Sequence, residues 1–198
     1  MLFLKYLLIA IGAYLLGSVS FSVLLSKGMA GGDVRKHGSG NAGATNMARV
    51  YGLGAGIKVL VGDMVKAGIP MLVGYLVCGE WGLAVAGMCA MVGHCFPIFH
   101  QFKGGKGVSV GGITAVFVDW RVGLLVVAGF VVGAFGSKKV SFGSVIGAVM
   151  ITVGAVLFHI STPRLVLCAF DMCLVIWRHK ENIKRLIKGT EPDFKAHK

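Results

Sequence analysis

The chain has 198 residues, 56% of them apolar and only 14% charged, whereas a soluble domain carries about 45–50% apolar residues, glycine included, and about 25% charged ones. Its mean hydropathy of +0.80 is reached despite 31 glycines, and a membrane crossing takes about 20 residues, so a polytopic membrane protein with no separate soluble domain is expected. Twenty Lys and Arg against eight Asp and Glu give +12; with no soluble basic domain to hold a groove or stack bases, nucleic acid is excluded as the partner.

The apolar runs follow in chain order. Leu4–Leu25 exceeds the signal-peptide core of about 7–15 residues and lacks a small-x-small cleavage site, so it is expected to stay as a span. Ala55–Val77 and Trp81–Phe99 come next, and within the first of them Asp63 stands three residues before Lys66, a spacing that predicts an ion pair inside the bundle. Val108–Val118 and Val122–Phe135 fall below about 17 residues and read either as short spans extended by glycine-rich flanks or as a re-entrant hairpin. Val140–Ile160 and Leu165–Trp177 complete the set. Seven spans is the favoured count, five the fallback.

Beyond Trp177 the tail, residues 178–198, is amphipathic: His179, Asn182, Ile183 and Leu186 share one helical face, Lys180, Lys184 and Lys188 the other. It is expected to lie at the inner membrane surface with its basic side toward lipid headgroups. The positive-inside rule orients the whole: with the N-terminus outside, the inner segments hold 15 Lys and Arg and the outer segments Lys5, Arg121 and Arg164. The expected architecture is an all-α integral membrane protein with seven transmembrane helices, N-terminus outside and C-terminus cytoplasmic, in one polytopic domain spanning 1–198. Glycine pairs four apart, Gly52/Gly56, Gly107/Gly111, Gly129/Gly133 and Gly143/Gly147, are expected to let helices approach closely. The five cysteines form no CxxC pair and read as small buried hydrophobes.

With this topology, four polar, glycine-rich segments fall on one face. Phe102–Gly107 has the makings of a phosphate cradle: Gly104, Gly105 and Gly107 expose backbone N–H groups ahead of a helix start, and Lys103 and Lys106 add point charges. It is no Walker loop, since Gly107 stands where Ser or Thr should follow Gly-Lys. Gly38, Gly40 and Gly43 spell GxGxxG, but no strand precedes them, so the match is a decoy. Physically, that stretch offers Ser39, Asn41, Thr45 and Asn46 as neutral donors on a curled backbone, with Arg49 able to fork onto a phosphate or carboxylate. The other two segments are Lys138–Ser144 and Arg178–Asn182. No Gly-x-Ser-x-Gly elbow occurs, no His is followed five positions on by Asp, and no Asp-rich helix suits a metal-dependent phosphotransferase.

Gly38-Ser-Gly-Asn-Ala-Gly-Ala-Thr-Asn46 with Arg49, Gly93-His-Cys-Phe-Pro-Ile-Phe99 running into Phe102–Gly107, Val140-Ser-Phe-Gly-Ser144, and His179-Lys-Glu-Asn-Ile183 with Gly189 and Glu191 together resemble the bacterial acyl-phosphate:glycerol-3-phosphate acyltransferase family. The resemblance covers nearly the whole chain. It implies a multi-pass enzyme of the bacterial cytoplasmic (inner) membrane, with a cytoplasmic active site that moves a fatty acyl group from acyl phosphate to the 1-position of glycerol 3-phosphate. The products would be 1-acyl-glycerol 3-phosphate, or lysophosphatidic acid, and phosphate. Carried over, phosphate contacts fall on Ser39, Arg49, Lys106 and Ser144, with His179 and Asn182 completing the polar pocket and Ser141 beside it; His179, Asn182 and Lys106 are assigned the chemistry. Neither cofactor nor metal is implied. Membrane lipids, the two substrates and the upstream enzyme that makes acyl phosphate are the implied partners.

Phosphate is already a good leaving group, so little nucleophile activation is needed and direct transfer without an acyl-enzyme is expected, the proton leaving through a phosphate oxygen or His179. An ordinary histidine titrates near 6.5, and no Asp or Glu is evident in the sequence to orient this one. The main alternative is a small anion transporter, which should carry its site near the midplane on broken helices.

Overall fold

In the computed structural model, which describes residues 1–29 and 32–196, all regular structure is helical. The first apolar run is two helices, α1 (Leu2–Gly17) and α2 (Phe21–Lys27), and not one unbroken helix, although the stretch 2–27 remains long and apolar enough for the expected span. Hydropathy misses the break because single serines are diluted by their neighbours. The break is buried, with Ser18 at 0% exposure, and Lys66 Nζ donates to the carbonyl of Val19 at 2.6 Å. Lys66 also forms the expected ion pair with Asp63, at 2.8 Å. An interrupted helix within an apolar environment needs such a protein donor, since lipid offers none.

A short helix α3 (Ala44–Tyr51) follows the glycine-rich stretch. The second and third runs form one helical stretch, α4 (Leu53–Cys95), interrupted at Cys78 and Gly79, where Gly79 takes φ +62°. Gly82 sits against the carbonyl of Gly74; in a straight helix those residues would stand about 12 Å apart, so the arms 53–77 and 80–95 double back as a hairpin. The remaining runs become α5 (Val108–Val118), α6 (Trp120–Ser137), α7 (Val140–Leu157) and α8 (Thr162–Arg178), close to the expected bounds. At 11 residues α5 is about 16 Å long, short of a hydrocarbon core of about 30 Å.

By length and composition four helical stretches qualify to cross a membrane: 2–27, 53–100, 120–137 and 140–157. The second, 48 residues long and doubled on itself, has the length for two crossings. Their outer faces are bare hydrocarbon, with Val132 at 72%, Leu76 at 73% and Phe135 at 79% exposure, which a water-facing surface of this extent would not tolerate.

Glycines bring α6 and α7 together: Gly143 lies against the carbonyl of Phe130, and Gly133 against the backbone of Gly143, so a methyl at either would strike main chain. Gly52 and Gly107 do not serve as expected. Their φ values of +88° and +86° end α3 and introduce α5, conformations that L side chains resist. All five cysteines are free.

The tail begins as expected. In α9 (Lys180–Ile187) Asn182 is buried while Lys180 and Lys184 are exposed. It then departs from the interfacial path: Gly189 takes φ +68°, Glu191 is 7% exposed, and the Phe194 N–H donates to the Lys138 carbonyl at 3.1 Å. Positions 197 and 198 of the expected tail lie outside the described residues.

Candidate active site

The four polar segments do meet. A cavity of about 230 Å³ is bounded by the loop of Ser39, Asn41 and Gly43, by Thr45 and Arg49 on α3, by Lys106 and Ser109 where α5 begins, by Ser141 and Ser144 on the first turn of α7, and by His179 and Asn182 at the α8–α9 junction. Asn182 is the hub. Its carboxamide oxygen accepts from Lys106 Nζ at 2.6 Å, and its nitrogen donates to Glu191 Oε1 at 2.6 Å. Arg185 Nε donates to the other Glu191 oxygen at 2.6 Å.

These neighbours set the charges. Burial, helped by the nearby cations Arg185, Arg178 and Arg49 and opposed by Glu191, pushes the Lys106 ammonium down to about 8. Burial disfavours the Glu191 carboxylate, but the hydrogen bonds from Asn182 and Arg185 outweigh it and hold the group below the ordinary carboxylate range. His179, beyond the end of α8, is pushed down to about 4, chiefly by burial; the Val175 carbonyl opposes the shift and Lys106 adds to it. Among the described residues no Asp or Glu orients this histidine; a backbone carbonyl does, with His179 Nδ1 2.8 Å from the Val175 oxygen. A neutral ring must donate Nδ1–H to that oxygen, which leaves Nε2 as a hydrogen-bond acceptor.

Arg49 makes no ion pair among the described residues, although it is half-buried beside Lys106. A partly buried guanidinium with no carboxylate is poised for an anionic ligand. Ser144 Oγ donates to the Val140 carbonyl at 2.9 Å, keeping its lone pairs for a further donor.

Other expected contacts are placed differently. Asn46, 1% exposed, donates to the carbonyls of Val34, His37 and Asn41 and accepts from the Ser39 N–H at 2.9 Å. Its donors are consumed in shaping the loop, so it is a staple and not a substrate donor. Gly105 is no part of an N–H cradle: its N–H donates to the His94 carbonyl at 3.1 Å, and its carbonyl accepts from Arg178. Gly107 faces Met91 and Val175. Gly40, Lys103 and Gly104 line an adjoining vestibule of about 440 Å³ with Arg178, Lys180 and Arg185.

Arg185, Glu191 and His94 line the pocket without having been singled out as site residues. Gly189 followed by Pro192 was the available signal, because a left-handed glycine past a helix end turns the chain and can return an acid such as Glu191 to the site. Apolar cavities adjoin the polar one and share part of its wall, Leu60 and Phe130 included. About 270 Å³ extends from Ser109 and Ser144 along Val116, Val126 and Ile151, and about 660 Å³ extends past Leu60 and Phe130 toward Ile57 and Phe135.

The family model described as glycerol-3-phosphate acyltransferase matches residues 7–189. Glycerol-3-phosphate acyltransferases of Rubrobacter xylanophilus and Halalkalibacterium halodurans are similar at 38% identity over 192 residues, 96% of each chain, and at 40% over 196 residues, 93% of each. Two crystal structures of PlsY (YgiH), an integral membrane glycerol 3-phosphate acyltransferase, share the fold. The glycerol 3-phosphate form superposes with a TM-score of 0.91 at 33% identity, covering 96% of both chains. The lysophosphatidic acid form gives 0.88 at 32%, covering 96% of this chain and 95% of that one. Matched over nearly its whole length in sequence and in fold, the chain belongs to the glycerol-3-phosphate acyltransferase family.

Proposed function

We propose that this pocket carries a fatty acyl group from acyl phosphate to the 1-hydroxyl of glycerol 3-phosphate, releasing 1-acyl-glycerol 3-phosphate and inorganic phosphate. The observation that carries the reading is the junction of chemistries: a polar cavity lined by Arg49, Lys106, His179 and Asn182 shares its walls with apolar ones. A phosphorylated head and an acyl tail need such a boundary. The solved relatives, in glycerol 3-phosphate and lysophosphatidic acid forms, carry an acceptor and a product of this chemistry.

Both substrates bear phosphate, and two unit negative charges about 5 Å apart repel by about 3 kcal/mol at an effective dielectric of 20. Arg49 and Lys106 offset this, while Ser39, Asn41, Thr45, Ser141 and Ser144 supply neutral hydrogen bonds around them. Transfer is direct: the hydroxyl attacks the acyl carbonyl, the C–O bond to phosphate breaks, and inorganic phosphate leaves. The hydroxyl proton passes to a phosphate oxygen. With His179 near 4 and a phosphate monoester near 6, the phosphate is the stronger base by about two units, or on the order of 3 kcal/mol. His179 Nε2 then orients the hydroxyl, and Lys106, fixed by Asn182, stabilises the departing phosphate.

The chain crosses the bacterial cytoplasmic membrane seven times as one domain, N-terminus outside and pocket at the cytoplasmic face. The 15 to 3 bias of Lys and Arg supports that orientation. The ion pairs Arg164–Glu80 and Arg121–Asp119 gather at the opposite end of the bundle. Acyl phosphate, made by another enzyme, reaches the pocket along an apolar cavity. A site at one end of the bundle and not at its middle disfavours the anion transporter.

The test is donor choice. Purified protein given glycerol 3-phosphate should make product from palmitoyl phosphate and none from palmitoyl-CoA; turnover of the thioester would overturn the assignment of the donor.

A further inference from the structure

Lys106 owes its place to a joint beneath the pocket. Gly105, the residue before it, is gripped from two sides. On one, its N–H donates to the His94 carbonyl at 3.1 Å, and a methyl at Gly105 would fall into the His94 imidazole. On the other, Arg178 donates from Nε at 3.2 Å and from Nη2 at 3.0 Å to the Gly105 carbonyl, and from Nη2 at 3.4 Å to the carbonyl of Gly104. The guanidinium lies over the Phe96 ring, 5.1 Å from its centroid, and Phe96 in turn tilts against Trp177 at 5.8 Å. Among the described residues no carboxylate pairs with Arg178; its donors are directed at backbone.

Adjacent residues of the loop thus link to residues four apart at the α8–α9 junction. Gly105 is tied to Arg178, and Lys106 to Asn182 at 2.6 Å, while His179 follows Arg178 directly on the chain. The lysine loop and the α8–α9 junction are thus linked at two points.

We infer that Arg178 is a positioning residue for acyl transfer: by holding the Gly104 and Gly105 carbonyls it fixes the Lys106 ammonium relative to Asn182 and His179. The inference rests on the reading of Lys106 as a substrate-phosphate contact. It depends on the planar fork of the guanidinium, since a lysine ammonium is a point donor that cannot span both carbonyls in one plane. A displacement of about 1 Å at a reacting group lowers the rate by up to about 100-fold.

Four variants decide it, each first checked for membrane insertion and unchanged thermal unfolding in detergent. Arg178→Lys, which keeps the charge, should lower kcat/KM for glycerol 3-phosphate at least tenfold, with most of the loss in kcat; activity within twofold of wild type would overturn the inference. Arg178→Gln should fall further, by about 100-fold. In a Lys106→Ala background, followed at high enzyme concentration, Arg178→Gln should add less than about threefold, because the group it positions is gone. Losses that multiply in full would mean that Arg178 acts on substrate independently of Lys106. If Lys106→Ala alone were near wild type, the phosphate-contact reading itself would fall, an outcome distinct from a silent Arg178→Lys.

Discussion

If Lys106 must be charged to hold substrate phosphate, its position near 8 places an alkaline limit on the enzyme within an ordinary assay range. Burial of the ammonium is the main cause, and three neighbouring arginines add to it. The sign is that of a depressed base: the free enzyme carries the cation below about pH 8 and loses it as pH rises through that value. A group titrating near 8 is about nine-tenths protonated at pH 7 and one-tenth at pH 9, so kcat/KM should fall about tenfold over that interval, whereas an ordinary lysine near 10.4 would lose only a few per cent. The assay is kcat/KM for glycerol 3-phosphate from pH 6.5 to 9.5 at constant ionic strength, since this quantity reports the free enzyme. Lys106→Arg, whose charge persists throughout, should be slower but flat on the alkaline side. A wild-type profile level to pH 9.5, or a limb that survives in Lys106→Arg, would refute the reasoning.

Further expectations concern the neighbours and the scaffold. His179→Gln should retain part of the activity through its hydrogen bond and keep the wild-type acid limb; a loss of about 10²–10⁴-fold with disappearance of that limb would make His179 the proton acceptor. Glu191→Ala takes the acceptor from the buried Asn182 amide and unhooks the tail, while Arg185, 42% exposed, stays hydrated; it should cost about 1–3 kcal/mol, read as a fall in unfolding temperature in detergent together with loss of activity. Lys66→Met removes the ammonium from the buried Asp63 carboxylate and the Val19 carbonyl and should destabilise by about 3–5 kcal/mol, with much of the loss recovered when Asp63→Leu is added. On a cysteine-free background, Lys103→Cys and Lys195→Cys should label from the cytoplasmic side and Glu80→Cys from outside; labelling of position 103 from outside would invert the orientation.

Much of the scaffold is legible in composition. The boundaries of α5 through α8 fall near the ends of apolar runs because each run stops at a glycine, an ionic residue or a hydroxyl-bearing pair such as Ser161-Thr162. Residues 18–20 escaped notice because their break is stabilised from a distance, by Lys66 on another helix. At the site, residue chemistry identified Arg49 and Lys106 as candidates and the family resemblance added Ser144, His179 and Asn182; the fold brings all five to one cavity. What sequence could not separate was polar groups that face the cavity from those that shape it. Asn46 and Asn182 have identical carboxamides, yet one meets only backbone and the other bridges Lys106 and Glu191. Likewise the fate of the Gly105 N–H depends on His94, eleven positions earlier, and the depressed basicity of His179 depends on burial that no local motif encodes.

The central claim is that acyl phosphate and glycerol 3-phosphate react with each other in this pocket. Its most direct test is stoichiometry: purified protein in detergent, supplied with palmitoyl phosphate, should release inorganic phosphate only when glycerol 3-phosphate is present, with one molecule of 1-palmitoyl-glycerol 3-phosphate formed per phosphate. Phosphate release without acceptor, or release unaccompanied by the acylated product, would contradict it.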